Sequence, residues 1–514
     1  MFPATTIAAM QTAPRPRRFI VIPKDGLTDE RSSPAKTARL LSAPVITGAR
    51  AADHGPTSKA SGPALTIVNT APSDGSLLVD ADHATLDEVK ALAPEGAQVF
   101  EEQWYPLERA RGPWQTLRAP ARAGSRAQHH KSFDWTVTVR VDGDKPRLLG
   151  DALVTAMVDE SQGVGLAATT DRYGRARFSF DEQPKAIEAL YVDPLHGGWP
   201  VRLPTVVVTS DGFDARVPPI DADAPDARGR IYGQPHGDAG AGVKVGVVDP
   251  GVGPHGALAL QGGRNTTEEQ PRRWRDWDGH GTHVAGVIAS TASGWQRGEA
   301  SRVQVYAYRI FEDGVEEAST FAIAAAIKQA ALDGCDLVNL SIGGGVADGA
   351  VRDAIEQAWG LGCVCIAATG NDGKASVAYP ARYPKAVAVS AIGLRESWPL
   401  GAYLDWTLGT TAGKELAGHP TFFAQFANRG DKVALTAPGV AIVSTIPNDR
   451  WGVMSGTSMA TPIATGVLAR RLAASPALHL PRDAHRSEAI VALATGHAED
   501  LGLPVAMQGH GLAR

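Results

Sequence analysis

Cysteine is scarce: Cys335, Cys363 and Cys365 are the only three in 514 residues, all in the C-terminal half. Cys363 and Cys365 stand two apart on an expected strand, so they face the same way and cannot readily bridge each other. Buried free thiols are expected, and a cysteine metal site is disfavoured because no further ligands stand at suitable spacing. The pattern leans towards a reducing compartment. Long apolar runs are missing as well, none approaching the length of a membrane-crossing helix. The stretch Met1–Met10 has no basic leading region and runs into Arg15-Pro16-Arg17-Arg18 without a small-residue cleavage site, so no secretory signal is expected. Nor does one sign of charge dominate. Fifty Lys and Arg stand against 55 Asp and Glu, a formal net charge of −5, which makes no general case for nucleic acid or an anionic membrane as partner.

What is present is a globular composition, 43% hydrophobic and 20% charged, in a chain long enough for roughly two to four domains. Residues 1–110 read as a small α+β module with a mobile N-terminal part. Its strands are expected at Phe19–Pro23, Ala64–Asn69, Gly75–Asp80 and Gln98–Leu107. Its helix spans Thr85–Leu92, with Thr85 as cap and Glu88 as the reciprocal partner. Residues 111–131 form a basic linker ending in His129-His130-Lys131. Across 132–215, strict alternation in Trp135–Val141 and further short strands separated by turns predict a β-sandwich. A linker rich in Asp, Pro and Gly covers 216–240. From 241 to 514, apolar strands alternate with helices, which predicts an α/β domain with a parallel sheet covered on both faces.

Chemistry concentrates in that last domain. Val245-Gly-Val-Val-Asp249 puts a carboxylate at the carboxyl end of a buried strand, where sites form in open α/β sheets. Gly279-His280-Gly281-Thr282-His283 opens a small-sided, buried helix; its two histidines lack the Glu-x-x-His arrangement of a zinc site. Val338-Asn-Leu-Ser341-Ile342-Gly343-Gly344 is a strand running into glycines. Ala367-Ala368-Thr369-Gly370-Asn371 is another strand reaching a turn. Gly456-Thr457-Ser458-Met459 puts one serine ahead of a helix expected from Met459 to Ala473, where a plain N-cap is the competing reading.

Together and in this order, these motifs resemble the subtilisin-like serine proteases, over about the last half of the chain. The resemblance implies Asp249, His280 and Ser458 as the reacting residues, with Asn371 as an oxyanion donor and His283 as a core residue. It implies substrate contacts from Ser341, Ile342, Gly343, Gly344, Ala368, Thr369 and Gly370, and a pocket floor at Ala378, where a methyl group favours small or medium apolar side chains. No Asp-rich calcium loop stands out, no metal-ligand set is assigned and no cofactor is expected; the expected partner is a protein or peptide substrate. The first module resembles the inhibitory propeptide of such enzymes, an intramolecular partner whose tail Pro106–Ala110 lies along the cleft. The β-rich module resembles the regulatory-like sandwiches found beside carboxypeptidases. A catalytically silent fold kept for peptide binding is the alternative. Three departures stand out: Pro250 after the aspartate, Ile463-Ala464-Thr465 after Pro462, and a long, Trp-containing insertion between Leu394 and Phe422.

Overall fold

The computed structural model describes residues 15–24, 46–47, 65–81, 84–110, 112, 114, 117, 132–221, 223–235, 237–267 and 270–514. The stretch Met1–Met10, most of the polar stretch after Pro23 and most of 111–131, with its two adjacent histidines, lie outside these residues.

The first unit is a five-stranded sheet. Its strands are β1 (Arg18–Ile22), β2 (Ile46–Thr47), β3 (Thr66–Thr70), β4 (Leu77–Asp80) and β5 (Gln98–Glu101), arranged β2-β3-β4-β1-β5. Helix α1 (Leu86–Leu92) starts as its sequence dictates: Thr85 Oγ1 accepts from Glu88 N, and the Glu88 carboxylate accepts from Thr85 N at 2.7 Å. Alternation along β1 and β4 gives the sheet two apolar faces. Phe19, Val21, Leu77 and Val79 close on Val89 of α1, whereas Ile20, Ile22 and Leu78 join the core around the helix Thr320–Leu332.

The expected strand Gln98–Leu107 is in fact two strands. β5 ends at Glu101, and β6 (Trp104–Pro106) pairs antiparallel with Glu317–Ser319, far along the chain. Between them the backbone changes partner: Glu102 N donates to Arg18 O at 2.9 Å, but Gln103 N donates to Thr320 Oγ1 at 3.0 Å.

Two facing sheets follow. One contains β7 (Phe133–Val141), β8 (Arg147–Leu148), β11 (Arg175–Phe180) and β14 (Phe213–Val217). The other orders β9 (Ala152–Asp159), β10 (Val164–Thr169), β12 (Ala186–Pro194) and β13 (Val201–Val207) as β10-β9-β12-β13. Trp135, Val139, Val154, Phe178 and Leu190 share one core between the sheets. Strand β14 was not anticipated and continues two residues past 215; it runs parallel to β7. The stretch read as a second linker holds a short helix, α2 (Ala227–Tyr232). Asp226 caps Gly229 N at 2.9 Å and also accepts from Val443 N at 3.0 Å, so local capping and a strand far along the chain fix it together.

The last unit is built on a nine-stranded sheet. Its parallel part comprises β15 (Lys244–Asp249), β16 (Leu260–Asn265), β17 (Gln304–Arg309), β19 (Leu337–Leu340), β20 (Val364–Ala368), β21 (Ala386–Leu394) and β24 (Val433–Pro438). β18 is the Glu317–Ser319 strand already paired with β6. The parallel sheet expected here also carries an antiparallel edge. The insertion after Leu394 folds back as β22 (Ala412–Leu416) and β23 (His419–Phe423), antiparallel at one edge. A separate hairpin joins β25 (Ile442–Ile446) to β26 (Arg450–Met454). Helices α3 (His280–Ala289) and α6 (Thr457–Ala473) cover one face; α4 (Thr320–Leu332) and α5 (Gly349–Gly360) cover the other. Helix α5 includes Gly360, and the positive-φ residue that turns the chain into β20 is Gly362. All three cysteines are buried free thiols. Among the described residues no helix is long and apolar enough to cross a membrane, and no group of three or more His, Cys, Asp or Glu could hold a metal ion.

Candidate active site

Strand β15 delivers Asp249 to the carboxyl edge of the sheet, and α3 starts with His280 directly against it. Close approach of the two elements depends on Gly281: a Cβ there would lie 2.0 Å from Gly251 O and 2.9 Å from Asp249 Cβ. His280 Nδ1 is therefore 2.6 Å from Asp249 Oδ1, with both side chains inaccessible to solvent. Burial pushes the Asp249 carboxyl above the usual range, and the facing His280 opposes that shift. Asp249 Oδ2 has no hydrogen-bond partner among the described residues; Pro250, next in the chain, carries no N–H to offer. The turn before α3 is braced by buried Asp276, which accepts from Asp278 N and Gly279 N on one oxygen and from Thr282 N and Oγ1 on the other. His283 faces away from Asp249 into the core, 3.0 Å from Ile442 O, and burial pushes its pKa down to about 3.

Ser458 is the second residue of α6, and Gly456 stands at the cap position without any side-chain capping bond. The N-cap reading is thereby displaced. The serine Oγ lies 2.5 Å from Glu108 O and 3.2 Å from Ser341 O. His280 Nε2 has no hydrogen-bond partner among the described residues. Four residues on, Pro462 cannot donate to the Ser458 carbonyl as an ordinary helical residue would. Ser341 Oγ donates there instead, at 2.9 Å, and itself accepts from Asn339 Nδ2 at 2.9 Å. Ser341 thus holds the start of α6 with its side chain, a part that its sequence motif did not reveal.

Asn371 sits beside the same helix start. Its Oδ1 accepts from Thr457 N at 2.8 Å and from Thr457 Oγ1 at 3.0 Å, which turns Nδ2 towards Glu108 Oε2, 3.0 Å away. Of the remaining expected residues, Ile342 bridges antiparallel to Leu107, and Gly344 exchanges backbone hydrogen bonds with Tyr379. A Cβ on Gly343 would meet the Glu108 carboxylate at 2.5 Å, and one on Gly344 the Tyr105 ring at 2.5 Å. Ala368 ends β20, Thr369 O accepts from Ala378 N at 2.9 Å, and Gly370 N donates to Thr457 Oγ1 at 3.2 Å. Ala378 is buried against Gly370.

The segment Trp104–Glu108 therefore lies as an extra strand between Glu317–Ser319 and Ile342, with Tyr105 Oη donating to Val346 O at 2.7 Å. The residue at Ser458 is an acid. Burial, followed by the nearby Asp372, pushes the Glu108 carboxyl up to about 7, against the hydrogen bonds from Asn371. Arg109, the next residue, pairs with Asp278 Oδ1. Sequence motifs pointed to neither Asp276 nor Asp278, since an aspartate in a loop carries no pattern of its own.

Comparison with known proteins bears on the last unit of the chain. The subtilase family profile matches residues 240–511. Subtilisin DY of Bacillus licheniformis is 31% identical over 251 residues, covering 48% of this chain and 82% of its own. Subtilisin BL of Lederbergia lenta is 32% identical over 235 residues, 45% and 77% of the two chains. M-protease of Shouchella clausii (strain KSM-K16) is 30% identical over 295 residues, 57% and 67%. On this sheet, these motifs and this match, the chain belongs to the subtilase peptidase family.

Proposed function

We propose that the protein is a serine endopeptidase made in a latent form, with Asp249, His280 and Ser458 as its reacting residues. The observation that supports this best is the pair of contacts at Ser458 and His280. A buried carboxylate holds one imidazole nitrogen at 2.6 Å, and the serine hydroxyl lies 2.5 Å from a peptide carbonyl. In the reaction, Ser458 Oγ attacks the carbonyl carbon while His280 Nε2 takes its proton. Asp249 keeps the proton on Nδ1 and offsets the imidazolium charge. The oxyanion gains hydrogen bonds from Asn371 Nδ2 and from the Ser458 backbone N–H, which is free of helical partners in the first turn of α6. His280 then returns its proton to the leaving amine as the C–N bond breaks, leaving an acyl-serine. Water, activated by the same histidine, hydrolyses it.

The sheet of β1–β5 serves in this reading as an intramolecular inhibitor, with Trp104–Glu108 lying along the cleft as an extended peptide does. Tethering raises its effective concentration. The bond Glu108–Arg109 is the first to be cut, and the two-sheet unit of β7–β14 remains with the catalytic part. Intact mass of the purified full-length protein tests this. The wild type yields fragments that meet at Glu108–Arg109, Ser458→Ala stays whole, and a fluorophosphonate probe labels only the wild type. An unlabelled, uncut wild type would instead indicate a catalytically silent subtilase.

A further inference from the structure

Past Glu108, the chain continues into a cavity of about 360 Å³. Arg109 and Ala110 line it beside His280 and Met459, while Leu153 and Leu195 contribute from the two-sheet unit. Trp406, on the loop between β21 and β22, and Trp114 also line it. The cavity thus runs from the catalytic histidine to an aromatic cluster built by two separate units. Trp114 is 3% exposed, and its ring stacks on Tyr191 of β12 at 4.3 Å with 13° between the planes. Tyr403 lies 5.7 Å away, tilted, and Trp406 meets the ring edge-on at 5.8 Å. The Trp114 indole nitrogen has no hydrogen-bond partner among the described residues. In place of a hydrogen bond, the rings of Tyr191, Tyr403 and Trp406 pack on its face and edge, with Met157 and Ala189 in the same cluster, so the pocket suits a large aromatic ring rather than a hydrogen-bond donor.

The two halves of this pocket are joined by contacts that do not involve Trp114. Tyr403 N donates to Pro200 O at 2.8 Å, Gly197 N to Trp451 O at 2.8 Å, and Arg450 Nη1 to Asp151 Oδ2 at 2.9 Å. Its walls are fixed in advance, which lowers the cost of binding a ring there.

We infer that the two-sheet unit and the catalytic unit together form a substrate subsite on the leaving-group side of the scissile bond. It takes an aromatic side chain at the sixth residue past that bond, the position Trp114 holds relative to Glu108–Arg109. This rests on the reading of Glu108–Arg109 as the bond presented to Ser458. The two-sheet unit is, on this view, part of the substrate site rather than a spacer.

Full-length protein carrying Trp114→Ala and Ser458→Ala empties the ring site and prevents cutting; Arg109 and Ala110 compete equally with both peptides used below, so the ratio of their affinities is what is read. A fluorescent peptide Arg-Ala-Arg-Gly-Pro-Trp-Gln-Thr-Leu should bind it roughly tenfold more tightly than the same peptide with Ala for Trp. Adding Tyr191→Leu or Tyr403→Leu, which keep apolar bulk, should bring that ratio close to one. Equal binding of the two peptides overturns the subsite. The single variant Trp114→Ala, with Ser458 intact, supplies the kinetic arm. Peptides joining Trp-Tyr-Pro-Leu-Glu to Arg-Ala-Arg-Gly-Pro-Trp or to its Ala version should differ in kcat/KM in the same sense. Hydrolysis without discrimination overturns the subsite and leaves the peptidase reading standing. Discriminating binding without any hydrolysis leaves the subsite standing and overturns the peptidase reading.

Discussion

The hydroxyl of Ser458 lies 2.5 Å from the backbone carbonyl oxygen of Glu108, a residue 350 positions earlier. Two pairings impose that contact. Trp104–Pro106 adds to Glu317–Ser319, and Leu107 bridges to Ile342. An extended segment held on both edges can shift along neither, so the carbonyl that meets the serine is set by register.

The glutamate makes this seat pH-dependent. In place its carboxyl is pushed up to about 7, above the ordinary carboxylate value. Below about pH 4 the group is neutral whether docked or free, and the seat has its full strength. As pH rises through about 7, the docked carboxyl must ionise in a buried site, and docking weakens. In full-length Ser458→Ala, hydrogen-exchange protection of 104–108 should be lower at about pH 8 than at about pH 5, after correction for intrinsic rates. Glu108→Gln should remove the difference; an unchanged difference would assign it to another group.

Asn371→Ala should lower kcat on an external peptide by about 10²–10³-fold with little change in KM, because its Nδ2 is needed most by the developing oxyanion. A rise in KM alone would make Asn371 a binding residue.

Ser341→Ala removes the donor that replaces the missing Pro462 N–H at the Ser458 carbonyl. Leaving that buried acceptor unpaired should cost about 1–3 kcal/mol of stability. Because the carbonyl belongs to the residue proposed as nucleophile, kcat should fall as well, whereas KM should hold. Chemical denaturation beside steady-state kinetics checks both.

Asp278 pairs with Arg109, the residue that follows the bond at Ser458. Peptides with Arg directly after the cut should be preferred over Ala about five- to tenfold in kcat/KM, and Asp278→Asn should abolish the preference. A preference that survives the substitution would place its source elsewhere.

Local signals carried much of this into the sequence. Thr85 and Glu88 predicted their reciprocal cap because both partners lie within one turn. The glycine-rich entry put the start of a helix at His280, where α3 begins, and strict alternation put a strand at Trp135–Val141, within β7. The order of motifs brought Asp249, His280, Asn371 and Ser458 to attention, and the fold draws them to one sheet edge. What escaped depends on distant partners. The break between β5 and β6 comes from Thr320, which no window around Gln103 contains. Helix α2 rests on a capping aspartate also held by Val443. The ring cluster draws Trp114, Tyr191 and Tyr403 from three regions, each unremarkable alone.

The pairing of Trp104–Pro106 with Glu317–Ser319 also sets a condition on timing. Glu108 reaches Ser458 only after segments more than two hundred residues apart have met, so under the proposed cut at Glu108–Arg109 a chain that has not folded keeps its tail whole. Chain length would then keep a lasting tally of which molecules completed folding. Both partners belong to one polypeptide, so diluting the protein would leave the pace of that tally unchanged.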